Sequence, residues 1–173
     1  MAPALPDPSS GLAGSGGAEC HSYLRLSTKK AGAVKGECEV EGHDGEIAVH
    51  AWSWGVQAGT AMAATRATAL RAFKHLVLRK GIDAASTGLL GALVNNDEVR
   101  DATLTVRRSV SEQSDYLRIT VNGARIVNVD IDVDMLGNAV ESVTLSFTKV
   151  ELEYITRKGT SYPFSDEVVP SGA

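Results

Sequence analysis

Apolar residues stand at every second position over most of this chain. In the first such segment Leu24 and Leu26 share one face, and the same spacing recurs in residues 46–54, 102–107 and 117–122. Successive side chains of a strand point to opposite faces, so this spacing, together with frequent Thr, Val and Ile, is typical of half-buried antiparallel strands. The alternation therefore predicts a mainly β fold.

The alternation changes phase once, near Thr148. Apolar side chains occupy odd positions from Val143 to Phe147 and even positions from Val150 onward. A slip of one residue turns every later side chain to the other face, so the chain must bulge here or cross between sheets. A corner of this kind is typical of a small barrel or sandwich.

Residues 83–94 have helical spacing instead. Their apolar side chains lie four residues apart on one stripe, in the pairs Leu89 and Leu93, and Leu90 and Val94. Asp83 or Ser86 can cap the N-terminus, and Asn95-Asn96 suits the end. We therefore expect one short amphipathic helix among the strands.

A long loop is expected at Val56–Thr68, between the tryptophan-containing strand and a strand predicted over residues 70–80. The loop is rich in alanine and threonine. Connections of more than about a dozen residues are usually functional or disordered.

The chain divides into three parts by composition. Residues 1–19 are rich in Pro, Gly, Ser and Ala and predict a flexible extension, because such a segment buries too little surface to offset its ordering entropy. They lack the basic and apolar regions of a secretory signal. We expect one domain over residues 20–168 and a short tail over residues 169–173. The longest apolar run, residues 89–94, is too short for membrane insertion, which needs about 20 residues.

Charge and aromatic content exclude some classes of function. The 17 Lys and Arg residues against 21 Asp and Glu residues give a net charge of −4. Nucleic-acid binding needs a clustered basic face. The pairs Arg79-Lys80 and Arg107-Arg108 are isolated, so we expect solvated strand ends and no nucleic-acid partner. Aromatic residues make up 5% of the chain, too few to favour stacking of bases or sugars.

Patterns of catalytic residues are missing from the sequence. There is no G-x-S-x-G nucleophile elbow, no G-x-x-x-x-G-K-[ST] phosphate loop and no G-x-G-x-x-G turn. Cys20 and Cys38 lie outside any C-x-x-C pair, and free thiols in a reducing cytoplasm are favoured over a single bridge, which stays open. We expect neither an enzyme nor a cofactor.

Oxygen-bearing side chains recur at calcium-loop spacing after residue 129. Positions 1, 3, 5, 9 and 12 of an EF-hand loop are filled by Asp130, Asp132, Asp134, Asn138 and Glu141. Position 6, where the turn needs Gly, is Met135, and both flanks alternate like strands where an EF-hand has helices. An acidic hairpin loop explains the same residues, so we expect no metal site, with a calcium-dependent β-barrel binding module as an alternative. The group His43, Asp44, Glu46 and His50 is interpreted likewise as a turn entering a strand.

Residues 45–55 contain the most specific pattern in the chain. Gly45-Glu46-Ile47 followed by Ala51-Trp52-Ser53-Trp54-Gly55 resembles the GEI…SWSWG signature of the haemolysin-coregulated protein (Hcp) family. The signature residues are Gly45, Glu46, Trp52, Trp54 and Gly55. Further segments resemble family strands in the family order: 23–26 (YLRL), 76–83 (LVLRKGID), 102–108 (ATLTVRR), 115–120 (DYLRIT) and 140–147 (VESVTLSF). The resemblance covers about residues 20–168.

This resemblance implies a compact β-barrel of two antiparallel sheets with one flanking helix and no catalytic residues. It further implies a subunit of the type VI secretion inner tube, in which six copies close into a ring and stacked rings carry or chaperone effectors. The implied partners are other copies of this chain, a VgrG-like spike protein, a contractile sheath and effector proteins. The protein would assemble in the bacterial cytoplasm and then be secreted without a signal peptide. A tail-tube subunit of a phage-like contractile injection particle is the alternative.

Relatives place an extended loop at the position of Val56–Thr68, so this loop is the natural candidate for reaching the next ring. The candidates for inter-ring contact are therefore Val56, Gln57, Gly59, Thr60, Met62, Thr65 and Arg66. A ring of this kind uses heterologous contacts, one patch against a different patch of the neighbour. Strand edges that would be an aggregation hazard in a monomer then become assembly surfaces.

Overall fold

The computed structural model describes residues 21–59, 70–109 and 112–168. Within these ranges the chain forms twelve strands and one helix, which confirms the mainly β class. In chain order the elements are β1 (Ser22–Thr28), β2 (Gly32–Val34), β3 (Ile47–Val49), β4 (Ala51–Ser53), β5 (Val56–Gly59), β6 (Leu70–Phe73), β7 (Leu76–Gly81), α1 (Ala85–Val94), β8 (Glu98–Arg107), β9 (Asp115–Val133), β10 (Ala139–Ser146), β11 (Lys149–Ile155) and β12 (Ser161–Glu167).

Ten of these strands form one antiparallel sheet. Its hydrogen-bonded path runs β2-β1-β8-β9-β10-β7-β4, with β3 attached to β1 and with β11 joining β9 to β12. The expected two antiparallel sheets are present, the second being the hairpin β5-β6, but the hydrogen-bonded path of the larger sheet does not close into the expected compact barrel. The strands β3 and β4 are separated by His50 alone, yet they pair with β1 and β7 respectively. Residues 47–53 therefore bridge two distant parts of the path, so the sheet must curl around its core.

The core consists of apolar side chains that alternate along the strands, as predicted. Leu24 and Leu26 of β1, Leu104 of β8, Ile119 of β9 and Leu145 of β10 are almost completely buried. Each such side chain contributes about 1.5–3 kcal/mol relative to full exposure, so their alternation determines which face of each strand turns inward.

The corner predicted near Thr148 is confirmed. β10 pairs with the second half of β9 and β11 with its first half, so the chain changes partner segment between Ser146 and Lys149. Gly123 turns β9 at the same place with φ of +55°. A Cβ added to Gly123 would lie 2.2 Å from the Thr148 hydroxyl oxygen, and the Thr148 N–H donates to the Asn122 carbonyl at 3.1 Å.

The predicted helix is present as α1. Its first turn is held by reciprocal hydrogen bonds: the Ala85 N–H donates to Asp83 Oδ1 at 3.0 Å, and the Asp83 N–H donates to Ser86 Oγ at 3.1 Å. Asn95 is the C-cap, as its position suggested. The predicted stripe needs one correction, since Leu89 is buried in the core whereas Leu90 is exposed.

The predicted loop at Val56–Thr68 begins as a strand. Residues 56–59 pair with residues 70–73 in the hairpin β5-β6. The strand expected over residues 70–80 is interrupted after Phe73, so that β6 and β7 belong to different sheets. Residues 60–69 lie outside the described part of the chain, as do residues 1–20 and 169–173.

Asp97, just before β8, binds the loop that follows β1. The N–H groups of Lys30 and Ala31 donate to its carboxylate at 3.0 and 3.1 Å. Burial acts to raise the pKa of Asp97, but hydrogen bonds from Thr28, Lys30 and Ala31 outweigh it and hold that pKa below its ordinary value.

Candidate assembly surfaces and buried ionic clusters

The signature residues Gly45 and Glu46 form a tight turn before β3. Gly45 has φ of +72°, which glycine adopts without steric cost. The Gly36 N–H donates to the Gly45 carbonyl at 2.9 Å and the Cys38 N–H to the Glu46 carbonyl at 3.2 Å. These bonds hold the strand-free segment 35–46 against the sheet. Cys38 is a buried free thiol, and Cys20 lies outside the described residues.

His43 lies in the predicted turn but is buried beneath it. Its ring stacks on Tyr23 with centroids 4.2 Å apart. Its Nδ1 lies 2.8 Å from Glu46 Oε2 and its Nε2 lies 3.1 Å from Asp115 Oδ1. The signature carboxylate of Glu46 therefore positions a buried imidazole, together with a carboxylate 72 residues further along the chain than His43.

Arg107 and Arg108 are not the solvated strand ends that we expected. Arg107 is buried, because its Nε donates to Asp115 Oδ1 at 3.2 Å and its Nη2 donates to the Glu41 carbonyl at 3.0 Å. Arg108 is half-buried, donates to the Ile155 carbonyl at 2.6 Å and lies over the Tyr116 ring at 5.0 Å. Both guanidinium groups join separate strands and loops within the monomer.

The signature tryptophans pack along the edge of the core. Trp52 in β4 and Trp54 just after it are half-buried against the core cluster. Trp54 stacks on Phe73 with centroids 6.5 Å apart, and the Gly55 carbonyl accepts the Lys74 N–H at 2.8 Å. These residues thus attach the β5-β6 hairpin to the main sheet.

Lys80, also expected at a solvated strand end, is instead the centre of a buried ionic cluster. Its side chain is 2% exposed, and its Nζ lies 2.7 Å from Glu141 Oε2 and 2.8 Å from Asp83 Oδ1. It also donates to Ser86 Oγ at 3.0 Å and to the Gly81 carbonyl at 2.8 Å. The cluster links β7 and β10 to the start of α1.

The residues with calcium-loop spacing are separated by the sheet. Glu141 is 0% exposed and bound to Lys80, whereas Asp130 and Asp132 point to the other face of the β9-β10 hairpin, because they pair with Ser142 and Val140. Asp134 shapes the hairpin turn by accepting the N–H groups of Leu136 and Asn138, each at 2.9 Å.

The hydrogen bonds of the same turn lower the pKa of Asp134. The hydrogen bond from the Asn138 N–H holds its pKa below the ordinary value, against a smaller effect of burial.

In the described ranges no group of three or more His, Cys, Asp or Glu side chains could hold a metal ion. The helix α1 is too short to cross a membrane, and no other helix of the described chain could do so.

Some of the candidate residues for inter-ring contact lie in the described part of the chain. Val56, Gln57 and Gly59 lie in β5, where Val56 and Gln57 are exposed. Thr60, Met62, Thr65 and Arg66 lie outside the described residues. The hairpin β5-β6 also reaches β12 through an ion pair between Arg71 and Asp166.

Two exposed apolar surfaces were missed by the sequence analysis. The first lies on residues 128–140, which we call the acidic hairpin. Here Ile131 and Val133 continue the inward face of β9, yet both are exposed, and Leu136 at the tip is 87% exposed. The outer face bears Asp130 and Asp132. The alternation of this segment contained the signal, but we interpreted its carboxylates alone.

The second surface lies on residues 152–164, which we call the aromatic hairpin. Tyr154 of β11 pairs directly with Tyr162 of β12, and Leu152 pairs with Phe164. Tyr154, Tyr162 and Phe164 are all exposed, Tyr162 at 60%. Leu152 packs against the core, so this aromatic face continues the core outward. The turn between the two strands contains Arg157 and Lys158.

Comparison with protein families gives a match over most of the chain. A sequence profile described as "Type VI secretion system effector, Hcp" matches residues 23–154. A comparison with curated proteins gives no match.

Solved structures show the same fold. A mutant of the Hcp1 protein from E. coli EAEC 042 superposes with a TM-score of 0.71 at 21% identity, covering 84% of this chain and 97% of its own. A type VI secretion system effector from Yersinia pestis has a TM-score of 0.70 at 21% identity, with coverages of 85% and 99%. Hcp1 from Salmonella typhimurium has a TM-score of 0.69 at 23% identity, with coverages of 85% and 95%.

Proposed function

Because this chain belongs to the Hcp family of type VI secretion proteins, we propose that it is a structural subunit of the secretion inner tube that assembles as stacked hexameric rings. The observation that most supports assembly is the pair of apolar surfaces at the acidic and aromatic hairpins. Large contiguous apolar patches are rare on monomeric soluble proteins and usually mark interaction sites. A tube subunit must also present different patches to its neighbours, because ring and stack contacts are heterologous.

The proposal extends to the tube's partners. A spike protein, a contractile sheath and effector proteins are the expected partners, with effectors inside the ring. The protein would assemble in the bacterial cytoplasm and leave the cell with the tube. No catalytic step and no cofactor belong to this function. The exposed residues of β5, Val56 and Gln57, remain candidates for contact with the next ring.

Light scattering of the purified chain tests the proposal directly. Six copies of 18.2 kDa give a particle of about 109 kDa, and negative-stain microscopy should show rings with a central hole. Stacks of rings should increase with protein concentration. A strictly monomeric species at every concentration up to the solubility limit would contradict the proposal.

A further inference from the structure

The aromatic hairpin extends the inward face of the sheet past the edge of the core. Tyr154 pairs with Leu117 of β9 on one side and with Tyr162 of β12 on the other, so all three side chains share the face that is turned toward the core. Tyr154, Tyr162 and Phe164 are nevertheless exposed. An apolar strand face without a cover is unfavourable in water, so these three rings favour a bound apolar segment.

The first strand begins at the same end of the sheet as this aromatic face. Ser22 of β1 pairs with Val106 of β8, and Val106 pairs with Leu117 of β9. Tyr154 and Tyr162 complete this row of paired residues. Adjacent strands lie about 4.8 Å apart, so the start of β1 is about 14 Å from β11 and about 19 Å from β12, measured along the sheet. The chain that precedes β1 therefore starts close to the aromatic face.

The length and composition of residues 9–20 suit this distance. Seven of these twelve residues are Gly or Ser, a composition typical of a linker. The root-mean-square length of such a linker is about 5–6 Å times the square root of its residue number, or about 17–21 Å here. A tethered ligand has its highest effective concentration, in the millimolar range for a short linker, when this length matches the span. Residues 3–8, at the far end of the linker, are therefore within reach of the rings.

Residues 3–8 have the composition that aromatic surfaces bind. They form the sequence PALPDP, in which Pro3 and Pro6 make a PxxP pattern. Such segments favour the extended polyproline II helix, which loses little entropy when it docks on an aromatic-lined surface. This helix has three residues per turn, so Pro3 and Pro6 lie on one side of it, about 9 Å apart. The diagonal pair Tyr154 and Phe164 has a comparable separation of about 7–8 Å across the two strands.

The charges beside the aromatic face are compatible with this segment. Asp7 is its one charged side chain. The turn between β11 and β12 contains Arg157, which also pairs with an exposed glutamate 3.5 Å away, and Lys158. Glu153 precedes this turn, but its side chain lies on the opposite face of β11, where Arg118 binds it at 2.7 Å. Solvent screens exposed pairs of this kind, so we expect the rings to contribute more than the charges.

We propose that residues 3–8 of this chain bind its own aromatic face, with Pro3 and Pro6 against Tyr154 and Phe164. The occupant is the chain's own segment because the strand register places the start of β1 within reach and because the linker length matches the span. This docking does not depend on the proposed assembly. The segment shields the face in the free subunit, so a second copy gains that face only by displacing it.

Hydroxyl-radical footprinting, read by mass spectrometry, measures the exposure of the three rings. At a millimolar effective concentration, even a contact with a dissociation constant of about 1 mM is half-formed. Deletion of residues 2–8 should therefore raise oxidation of the rings about twofold or more. Leu136 of the acidic hairpin is 87% exposed and should be oxidised equally in both proteins, which makes it an internal reference.

Two matched controls separate the proline segment from other changes at the termini. Pro3→Gly/Pro6→Gly removes both rings of the segment and should expose the aromatic face as the deletion does, whereas Ser9→Gly/Ser10→Gly adds the same glycines outside the segment and should keep the protection. Residues 169–173 also contain a proline, but they follow β12 at the end far from Tyr162. Their deletion should leave oxidation of the rings unchanged.

Other occupants give distinguishable results. Protection by the chain's own segment is independent of protein concentration, so protection that disappears on dilution would mean that another copy covers the face and would overturn the inference. Unchanged oxidation after deletion of residues 2–8 would overturn it too, as would a rise produced equally by deletion of residues 169–173. If the chain never forms rings but the deletion of residues 2–8 exposes the face, the inference stands while the proposed function fails.

Discussion

Replacing Lys80 with methionine should strongly destabilise the fold without touching the surface. Methionine keeps an unbranched side chain of similar length but removes the ammonium group that binds Glu141 at 2.7 Å and Asp83 at 2.8 Å. Glu141 is 0% exposed, so its carboxylate would remain buried without a cationic partner. The substitution leaves only the Glu141 carboxylate buried without a cation, because the Asp83 side chain is partly exposed and can be hydrated.

The expected loss is large compared with ordinary substitutions. Removing one member of a buried ion pair costs about 3–5 kcal/mol, because the remaining charge keeps its desolvation penalty and loses its partner. For a domain of this size each kcal/mol lowers the melting temperature by about 2–4 °C. We therefore expect Lys80→Met to melt roughly 6–20 °C below the unmodified protein at pH 7.

Urea unfolding of dilute protein, followed by tryptophan fluorescence, measures this loss. Lys74→Met is the matched control, because Lys74 is exposed and its change should stay within about 0.5 kcal/mol. The double variant Lys80→Met/Glu141→Leu should recover most of the loss, since apolar replacement of a whole buried pair is often neutral. A Lys80→Met protein within 1 kcal/mol of the original, or a double variant with additive losses, would refute the reasoning.

Two further predictions concern the backbone corner and acid stability. Gly123→Ala combines φ of +55° with a Cβ only 2.2 Å from the Thr148 hydroxyl. By urea titration it should therefore cost more than Gly137→Ala, which has φ of +84° and no close neighbour and should lose only about 1 kcal/mol; equal losses would contradict this. The pKa of Asp97 lies below its ordinary value, so its contribution is complete above the unfolded pKa and is lost as pH falls through the folded one. Asp97→Asn should accordingly flatten the decline of the free energy of unfolding below about pH 4. The same decline in the variant as in the unmodified protein would contradict this role of Asp97.

The structure confirmed predictions that depend on local spacing. The alternation at Leu24, Leu104 and Ile119 predicted inward-facing strand positions, and these side chains are buried. The phase slip near Thr148 predicted a corner, and the chain changes partner segment there. Such patterns can be interpreted from sequence because successive side chains of a strand point to opposite faces.

Predictions about charged residues failed where the partner is distant in sequence. Lys80 and Arg107 were expected in solvent, but Lys80 binds Glu141 in the interior, and the buried Arg107 donates to the carbonyl of Glu41, 66 residues earlier in the chain. Glu141, the partner of Lys80, is 61 residues away. Without the strand register, a single sequence does not show that these two residues meet. The calcium-like spacing shows the same limit, since spacing alone does not reveal which face of a hairpin Glu141 occupies.

By itself, the sequence determined the strand class, the helix, the corner and the family, because each depends on residue types at fixed local intervals. Only the tertiary structure decided which faces are covered. Curling of the sheet buries Lys80 and His43 but leaves Ile131 and Tyr162 exposed, although Ile131 and Val133 of the acidic hairpin alternate like core residues. The physical reason is that periodicity determines the direction of a side chain, whereas burial requires a second surface, which local sequence does not specify.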